Sequence, residues 1–532
     1  MKIFKRRFFS VFSSIPLMLN KQITLEMKQN KHYYFVILAL LFLFCFSSIT
    51  FGQGPDSLTY KKIDDYIQKQ MEAYKIPGAS VGIIQGNRKV YLKGYGTADN
   101  TGRKVTPQTP FLLASVTKSF TALCIMQLVE EGKINLDESV QKYIPWFHTA
   151  DTGASSQITV RHLLNQTSGF STLDGNKPFS NTDMRNSSLE TYVRSLTNVK
   201  LIAAPGQKFE YSNINYGILG LIIQKISEQS YESYVQNKIL APLDMQHSFT
   251  SQKDARANNA AIGHYPFFGF PVVDDKTLPA AAASWSGIYS SAEDMTHYLI
   301  AQINGGRYGN YSILSANGIN EMHKPAAKAN AVKDYAMGWF VGPYYDIIDT
   351  AIRHDGEGPA FHSFALLVPG KHFGVVWLMN IDYPPTFSVF SSMGFGIAEI
   401  YMGIKPPSPP IYEDFIEQNI RIILTIIIIL LGIGVFRSTK NLRRWRGPDY
   451  TGTHRNNRLW RYIMMPAAID ILLTVYLMAV LLPGNAVTIP ITLYFTPDVG
   501  LLLILILLLT IGWGLIRTIL MLRALYKKPT VV

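Results

Sequence analysis

The 532-residue chain predicts an α+β fold: an antiparallel sheet flanked by helices with an inserted helical lobe, followed by three transmembrane helices. Three observations carry that expectation. Strand patterns stand at both ends of residues 54–404, with a helical, loop-rich middle between them. Three long apolar stretches crowd residues 419–532. The basic residues behind the +13 formal charge gather at 1–31, 437–461 and 517–528, beside apolar segments, and the remainder is net acidic. That distribution points to a membrane surface and excludes a nucleic-acid binder.

Residues 1–53 read as a signal-peptide region. "KHYYFVILALLFLFCFSSITFGQG" has a basic flank, an apolar core and small residues at its end, with cleavage expected near Gly52 or Gln53. An uncleaved anchor is the alternative reading. Met27 is the expected start, because 26 residues before it make the n-region too long. Cys45 lacks the small residues that precede a lipidated cysteine.

Within 54–404, residues 57–75 have helical periodicity, and "ASVGIIQGNRKVYLKGYG" reads as two strands joined at Gly86-Asn87. "FHSFALLVPGKHFGVVWLMN", 361–380, reads as strand, Pro-Gly turn, strand, and 389–403 as a closing helix. A sheet built from both termini places the chemistry in the seam between sheet and lobe. Cys124, Trp339 and Trp377 are expected in the core, and "YAMGWF", 335–340, at the pocket edge.

The Pro-rich stretch 405–418, containing "IKPPSPPIY", favours an extended spacer. Beyond it, the runs at 420–436, 462–482 and 499–516 approach the length that crosses a bilayer. Eight basic residues in loop 437–461 and none in 483–498 set the first loop in the cytoplasm and the second outside, with the catalytic candidates. Asp470, the acid inside a span, is expected to snorkel.

The chemistry starts at "FLLASVTKSF". Ser115 and Lys118 are i and i+3 on one helix face, so the amine reaches the hydroxyl, and the helix start offers free N–H groups. The pair alone is a weak signal. Tyr211, Ser212 and Asn213 follow 96 residues after Ser115, and His354, Asp355 and Gly356 follow 143 residues after Tyr211. Taken singly these are turn and capping residues; their order gives them weight.

With these motifs in sequence, the chain resembles the serine β-lactamase and penicillin-binding protein superfamily, in the branch of class C β-lactamases, D-alanyl-D-alanine carboxypeptidases and esterases. That branch orders Ser-x-x-Lys, Tyr-x-Asn, then Lys-Thr-Gly or His-x-Gly. "ITVRHLLNQTSGF", "ILAPLDMQHSFT" and "WSGIYSSAEDMTHYL" extend the resemblance over about residues 57–403. It implies Ser115 as acylated nucleophile, with Lys118 and Tyr211 sharing its proton and the lysine charge lowering the tyrosine pKa. Asn213 would orient Lys118 and the substrate amide. His354 would face the pocket, Gly356 would let substrate approach the backbone, and the N–H groups of Ser115 and Glu357 would form an oxyanion hole.

His354 and Asp355 replace the lysine and threonine of Lys-Thr-Gly. An acid at 355 is expected to repel a carboxylate, which favours an ester or amide with a neutral end. His162, His247, His264 and His362 have no metal-site spacing, so no metal or other cofactor is expected. The expected partners are an acyl substrate, small molecule or peptide, and the lipid bilayer. The leading reading is a membrane-anchored, extracytoplasmic serine acyl hydrolase, with cell-wall peptides first and esters second as substrates. The alternative is a penicillin-binding-like sensor that passes occupancy to its helices.

Overall fold

The computed structural model describes residues 57–181, 187–274, 276–344, 347–383, 387–405, 415–446, 455–484 and 486–526. The expected signal peptide, the Met27 start, Cys45 and most of the spacer lie outside the described residues.

The expected α+β architecture is what the chain forms. Helix α1 (Ser57–Ala73) precedes β1 (Gly78–Gln85) and β2 (Arg88–Gly96), which turn at Gly86-Asn87. Six further strands come from the C-terminal part: β3 (Ala327–Lys328), β4 (Asp334–Tyr335), β5 (Phe340–Tyr344), β6 (Ile347–Gly358), β7 (Phe361–Val368) and β8 (Phe373–Met379). They form one antiparallel sheet in the order β2-β1-β8-β7-β6-β5-β4-β3, so strands from the two ends of the domain meet at β1 and β8.

The central strands β7 and β8 are buried along their whole length, which explains their unbroken apolar runs. Alternate side chains enter two cores. Val81, Phe364, Leu366 and Trp377 face α1 and the closing helix Phe387–Tyr401. Ala365, Leu367, Val376 and Leu378 face the helical lobe inserted between β2 and β3. In that lobe α2 (Thr117–Glu130) is buried nearly all round, Cys124 included, as is Trp339. Helix α3 (Thr172–Ser180) is capped by Ser171, whose hydroxyl accepts from the Asp174 N–H, and α4 (Asn213–Ser227) begins at Asn213.

Among the described residues three helices are long and apolar enough to cross a membrane: Asn419–Arg446, Asn456–Gly484 and Pro497–Leu525. The first helix runs on to Arg446, so Arg437–Arg446 continue the helix and do not lie in a loop. Asp470 does not snorkel: its Oδ2 accepts from Arg517 Nη2 at 2.7 Å across the second and third spans, both side chains nearly buried. Thr474 donates to Thr510 beside them at 3.0 Å, and Gly514 is tolerated only without a Cβ, which would meet Asp470 Oδ2 at 2.8 Å. Asp470→Leu is expected to lower stability by about 3 kcal/mol, because it leaves Arg517 charged and unpaired in an apolar setting. The double variant Asp470→Leu/Arg517→Leu should recover most of that loss in thermal unfolding of the full chain in detergent. A double variant as unstable as the single would refute the pairing energetics.

Candidate active site

The turn that carries Ser115 is held from three directions. The short strand Phe111–Leu112 pairs with Tyr289–Ser290, and Leu113 N–H donates to Ile288 O at 2.8 Å. Ser363 Oγ on β7 donates to Leu113 O at 2.6 Å. Ala114 then takes φ +45°, a left-handed conformation costly for a residue with a side chain, and the chain enters a 3₁₀ turn leading into α2. Ser115 is thereby presented at the helix start, where backbone N–H groups lack intrahelical partners.

Strand β6 lies against this turn along an edge that the sheet leaves open. Its ladder with β5 ends at the Phe340–Arg353 pair, while β7 continues beside it to Gly358. Residues 354–358 therefore have a sheet neighbour on one side only. Gly356 is required there by the protein itself: a Cβ would sit 2.1 Å from both Leu113 O and Ser363 Oγ. The close passage of β6 over the nucleophile turn requires glycine here independently of the expected room for substrate.

Side chains on β6 alternate, and this separates the third motif. His354 pairs with Ala365 and faces the lobe, in contact with the rings of Tyr211, Tyr335 and Phe340 at centroid distances of 6.2, 6.2 and 5.4 Å. Asp355 pairs with Phe364 and Glu357 with His362, on the opposite face covered by the closing helix. Burial pushes the Asp355 carboxyl up, but the Arg353 guanidinium and a hydrogen bond from Ser391 outweigh that and hold it below the ordinary value. Its side chain thus points away from the seam, and its charge reaches the seam from behind, where it is felt at Tyr211. Glu357 turns its side chain to that same face, though its charge is felt at Tyr211.

Ser115 and Tyr211 keep some exposure, whereas Lys118 lies behind them at 0%. Lys118 Nζ is 2.9 Å from Ser115 Oγ and donates to the Trp285 carbonyl at 3.0 Å. The Tyr211 and Tyr216 rings cover it, with centroids 4.9 and 5.8 Å from Nζ. Desolvation alone drives its pKa well below that of an ordinary lysine. With one N–H engaged by Trp285, the lone pair of the neutral amine is free to take the Ser115 proton.

The Tyr211 hydroxyl also hydrogen-bonds with Ser115. Burial, then proximity to Tyr335, raise its pKa well above the ordinary value, and the Ser115 bond only partly opposes them. The expected lowering of the tyrosine pKa by lysine charge is therefore reversed: a desolvated, neutral amine cannot stabilise a phenolate. Tyr211 remains a phenol, able to donate and relay a proton.

His354 Nδ1–H donates to the Asp355 carbonyl at 2.7 Å, which leaves Nε2 bare and without a hydrogen-bond partner. Burial above all pulls its pKa down to about 3, so the imidazole is neutral and offers a lone pair. Asn213 is brought to the same cluster but does not hold Lys118. Its Nδ2 donates to Asn176 Oδ1 on α3 at 3.1 Å, and its Oδ1 has no partner.

Several participants escaped the sequence reading. Trp285 acts through its backbone carbonyl, which no side-chain motif reveals. Gln166 accepts from Ser212 N–H at 2.9 Å and from the Asn215 amide, fixing the segment that carries Tyr211. Thr172 and Asn176 hold that segment from α3. The "QTSG" run around Gln166 was a legible signal; α3 offered none. Among the described residues no His, Cys, Asp and Glu group has the makings of a metal site.

A family model described as Beta-lactamase matches residues 63–390, which end before the first span. Protein flp of Staphylococcus aureus is 34% identical over 325 residues, 60% of this chain and 63% of its own length. Teichoic acid D-alanine hydrolase of the same species is 30% identical over 286 residues, 53% of this chain and 66% of its own. The chain thus spans less than two thirds of the length of these relatives. Among solved structures, the octameric penicillin-binding protein homologue from Pyrococcus abyssi superposes with a TM-score of 0.59 at 28% identity, over 66% of this chain and 78% of that one. With the family match covering most of the chain and the sheet-and-lobe fold agreeing, this protein belongs to the beta-lactamase family, whose members are largely serine hydrolases.

Proposed function

We propose that the chain is a membrane-anchored serine acyl hydrolase, its hydrolase domain outside the cytoplasmic membrane, working through an acyl-enzyme on Ser115. The observation that carries this reading is the wholly buried Lys118 amine 2.9 Å from Ser115 Oγ, desolvated so that it is a base and not a cation. Its placement outside the membrane is supported by the basic residues of 437–461 against none in 483–498.

Lys118 takes the Ser115 proton, directly or through the Tyr211 hydroxyl, as Oγ bonds to the acyl carbon. The oxyanion is met by the backbone N–H groups of Ser115 and Glu357. Collapse of the adduct breaks the bond to the leaving group, which receives the proton from Lys118 through Tyr211. Water attacks the resulting ester with the same two groups carrying its proton, and Ser115 is regenerated.

His354 stands where Lys-Thr-Gly members place a lysine, and it brings a neutral lone pair in place of a charge. The site therefore favours acyl groups that present a hydrogen-bond donor over those that present a carboxylate. D-alanyl groups with a free amine meet that requirement, and one relative is named for hydrolysing D-alanine from teichoic acid.

The test is intact mass of the full chain in detergent after exposure to a fluorophosphonate, a penicillin, and chromogenic acetyl and D-alanyl esters. The expected result is a fluorophosphonate adduct mapping to the Ser115 peptide, with D-alanyl ester turnover exceeding penicillin acylation. Faster penicillin acylation would return cell-wall peptides to first place. Absence of any adduct or turnover would overturn the hydrolase and favour the sensor.

A further inference from the structure

The helix that joins the second and third spans, Ile489–Phe495, does not stand free of the hydrolase domain. Tyr494 is 7% exposed and joins the core of the helical lobe. Phe179 of α3 meets the Tyr494 ring at 5.9 Å and the Phe495 ring at 5.2 Å. Lys276 Nζ donates to Tyr494 O at 2.9 Å, fixing this helix to the lobe from a second element.

The other side of α3 is the support of the second motif. Thr172 Oγ1 donates to the Tyr211 carbonyl at 2.6 Å, and Asn176 accepts from Asn213 at 3.1 Å. Gly175 passes so close that a Cβ would lie 2.7 Å from both Asn213 N and Ser212 Oγ. A nine-residue helix is thus clamped between the Tyr211–Asn213 segment and the helix between two spans.

We propose that the 489–495 helix is a positioning element of the active site: through Phe179 and α3 it sets Tyr211 and Asn213 against Ser115. The membrane part then contributes to catalysis as well as to anchoring. A displacement of Tyr211 by a fraction of an ångström lengthens the proton path between Ser115 and Lys118, and misplacement on the scale of 1 Å costs about 10²-fold in rate. The inference rests on the reading of Ser115 as the acylated nucleophile.

The test uses the full chain in detergent and measures the rate of fluorophosphonate acylation together with kcat and KM for a chromogenic ester. Tyr494→Ala/Phe495→Ala is expected to slow acylation and kcat by roughly 10-fold or more, with KM changed less than about twofold. Phe179→Leu and Phe495→Leu keep most of the apolar volume but lose the ring contacts, and they should show a smaller loss of the same kind with Tm lowered by only about 2–4 °C. Tyr494→Phe should restore the wild-type rate. Combining Phe179→Leu with Phe495→Leu should cost no more than the larger single effect, since both act through one contact. Should the alanine pair fail to fold, the leucine variants decide. Folded leucine variants with wild-type acylation rates overturn the inference, as does a loss confined to KM. Wild-type protein that no probe labels at Ser115 refutes the hydrolase reading itself, so the two failures are distinct.

Discussion

Ser115→Ala is expected to lower kcat/KM by about 10⁴–10⁶-fold and to abolish the fluorophosphonate mass gain. This oxygen meets both the Lys118 amine and the Tyr211 hydroxyl, in the 3₁₀ turn that leads into α2 with backbone N–H groups beside it. Without it no acyl-enzyme forms, and the residual rate is what oriented water achieves. Ser115 is partly exposed, and Lys118 and Tyr211, which its hydroxyl meets, are held by their own packing, so Tm should stay within about 2 °C, in line with a small local change in stability. Steady-state ester hydrolysis with intact mass and thermal unfolding of the same sample checks this. A variant retaining a tenth of wild-type turnover would place the nucleophile elsewhere.

Lys118→Met should move rate and stability in opposite directions. Acylation is expected to fall by about 10³–10⁴-fold, because the group that takes the serine proton is gone. Stability should rise by about 0.5–2 kcal/mol at neutral pH, since methionine fills the space without a buried amine. In the unfolded chain the lysine holds its proton up to about pH 10.5, whereas burial makes the native amine give it up at a much lower pH. The native state binds fewer protons, so wild-type stability falls as pH drops from about 10.5 to the native pKa and levels off below it. The methionine variant lacks that slope, and the gap between the two should close above pH 10.5.

The same titration governs activity. Wild-type acylation should rise with pH through the native Lys118 pKa, and the variant's residual rate should lack that limb. Ser115→Ala and Lys118→Met together should be no slower than Ser115→Ala alone, because both remove one step. A Lys118→Met protein less stable than wild type at pH 7 would mean that the amine is held as a buried cation by its partners, and would sink its role as the base.

Where the sequence reading went wrong, the physical reason is the same in each case. Asp355 is expected in the pocket because it takes the place of the threonine of Lys-Thr-Gly, yet a strand sends neighbours to opposite faces, and only the register with Phe364 reveals which face is the seam. At Gly356 the protein adds a requirement of its own that the motif does not show, since the atoms that forbid a Cβ belong to Leu113 and Ser363. Asn213 was expected on Lys118, but α3 supplies Asn176 instead. Asp470 looked solitary because its partner, Arg517, is 47 residues away on another helix.

The sequence by itself determined whatever depends on near neighbours along the chain. Alternation and turn residues marked β1, β2, β7 and β8, apolar length marked the three spans, and the i, i+3 spacing put Ser115 and Lys118 on one face. The order of three short motifs was enough to indicate the family. Only the tertiary structure decided the chemical state of those residues. Lys118 is a base because tyrosine rings exclude water from it, while the Trp285 carbonyl, 167 residues away, accepts one of its N–H groups and orients it. His354 is a neutral acceptor, and Tyr211 a phenol, for the same reason. Desolvation depends on what packs around a group from distant parts of the chain, and local sequence carries no record of it.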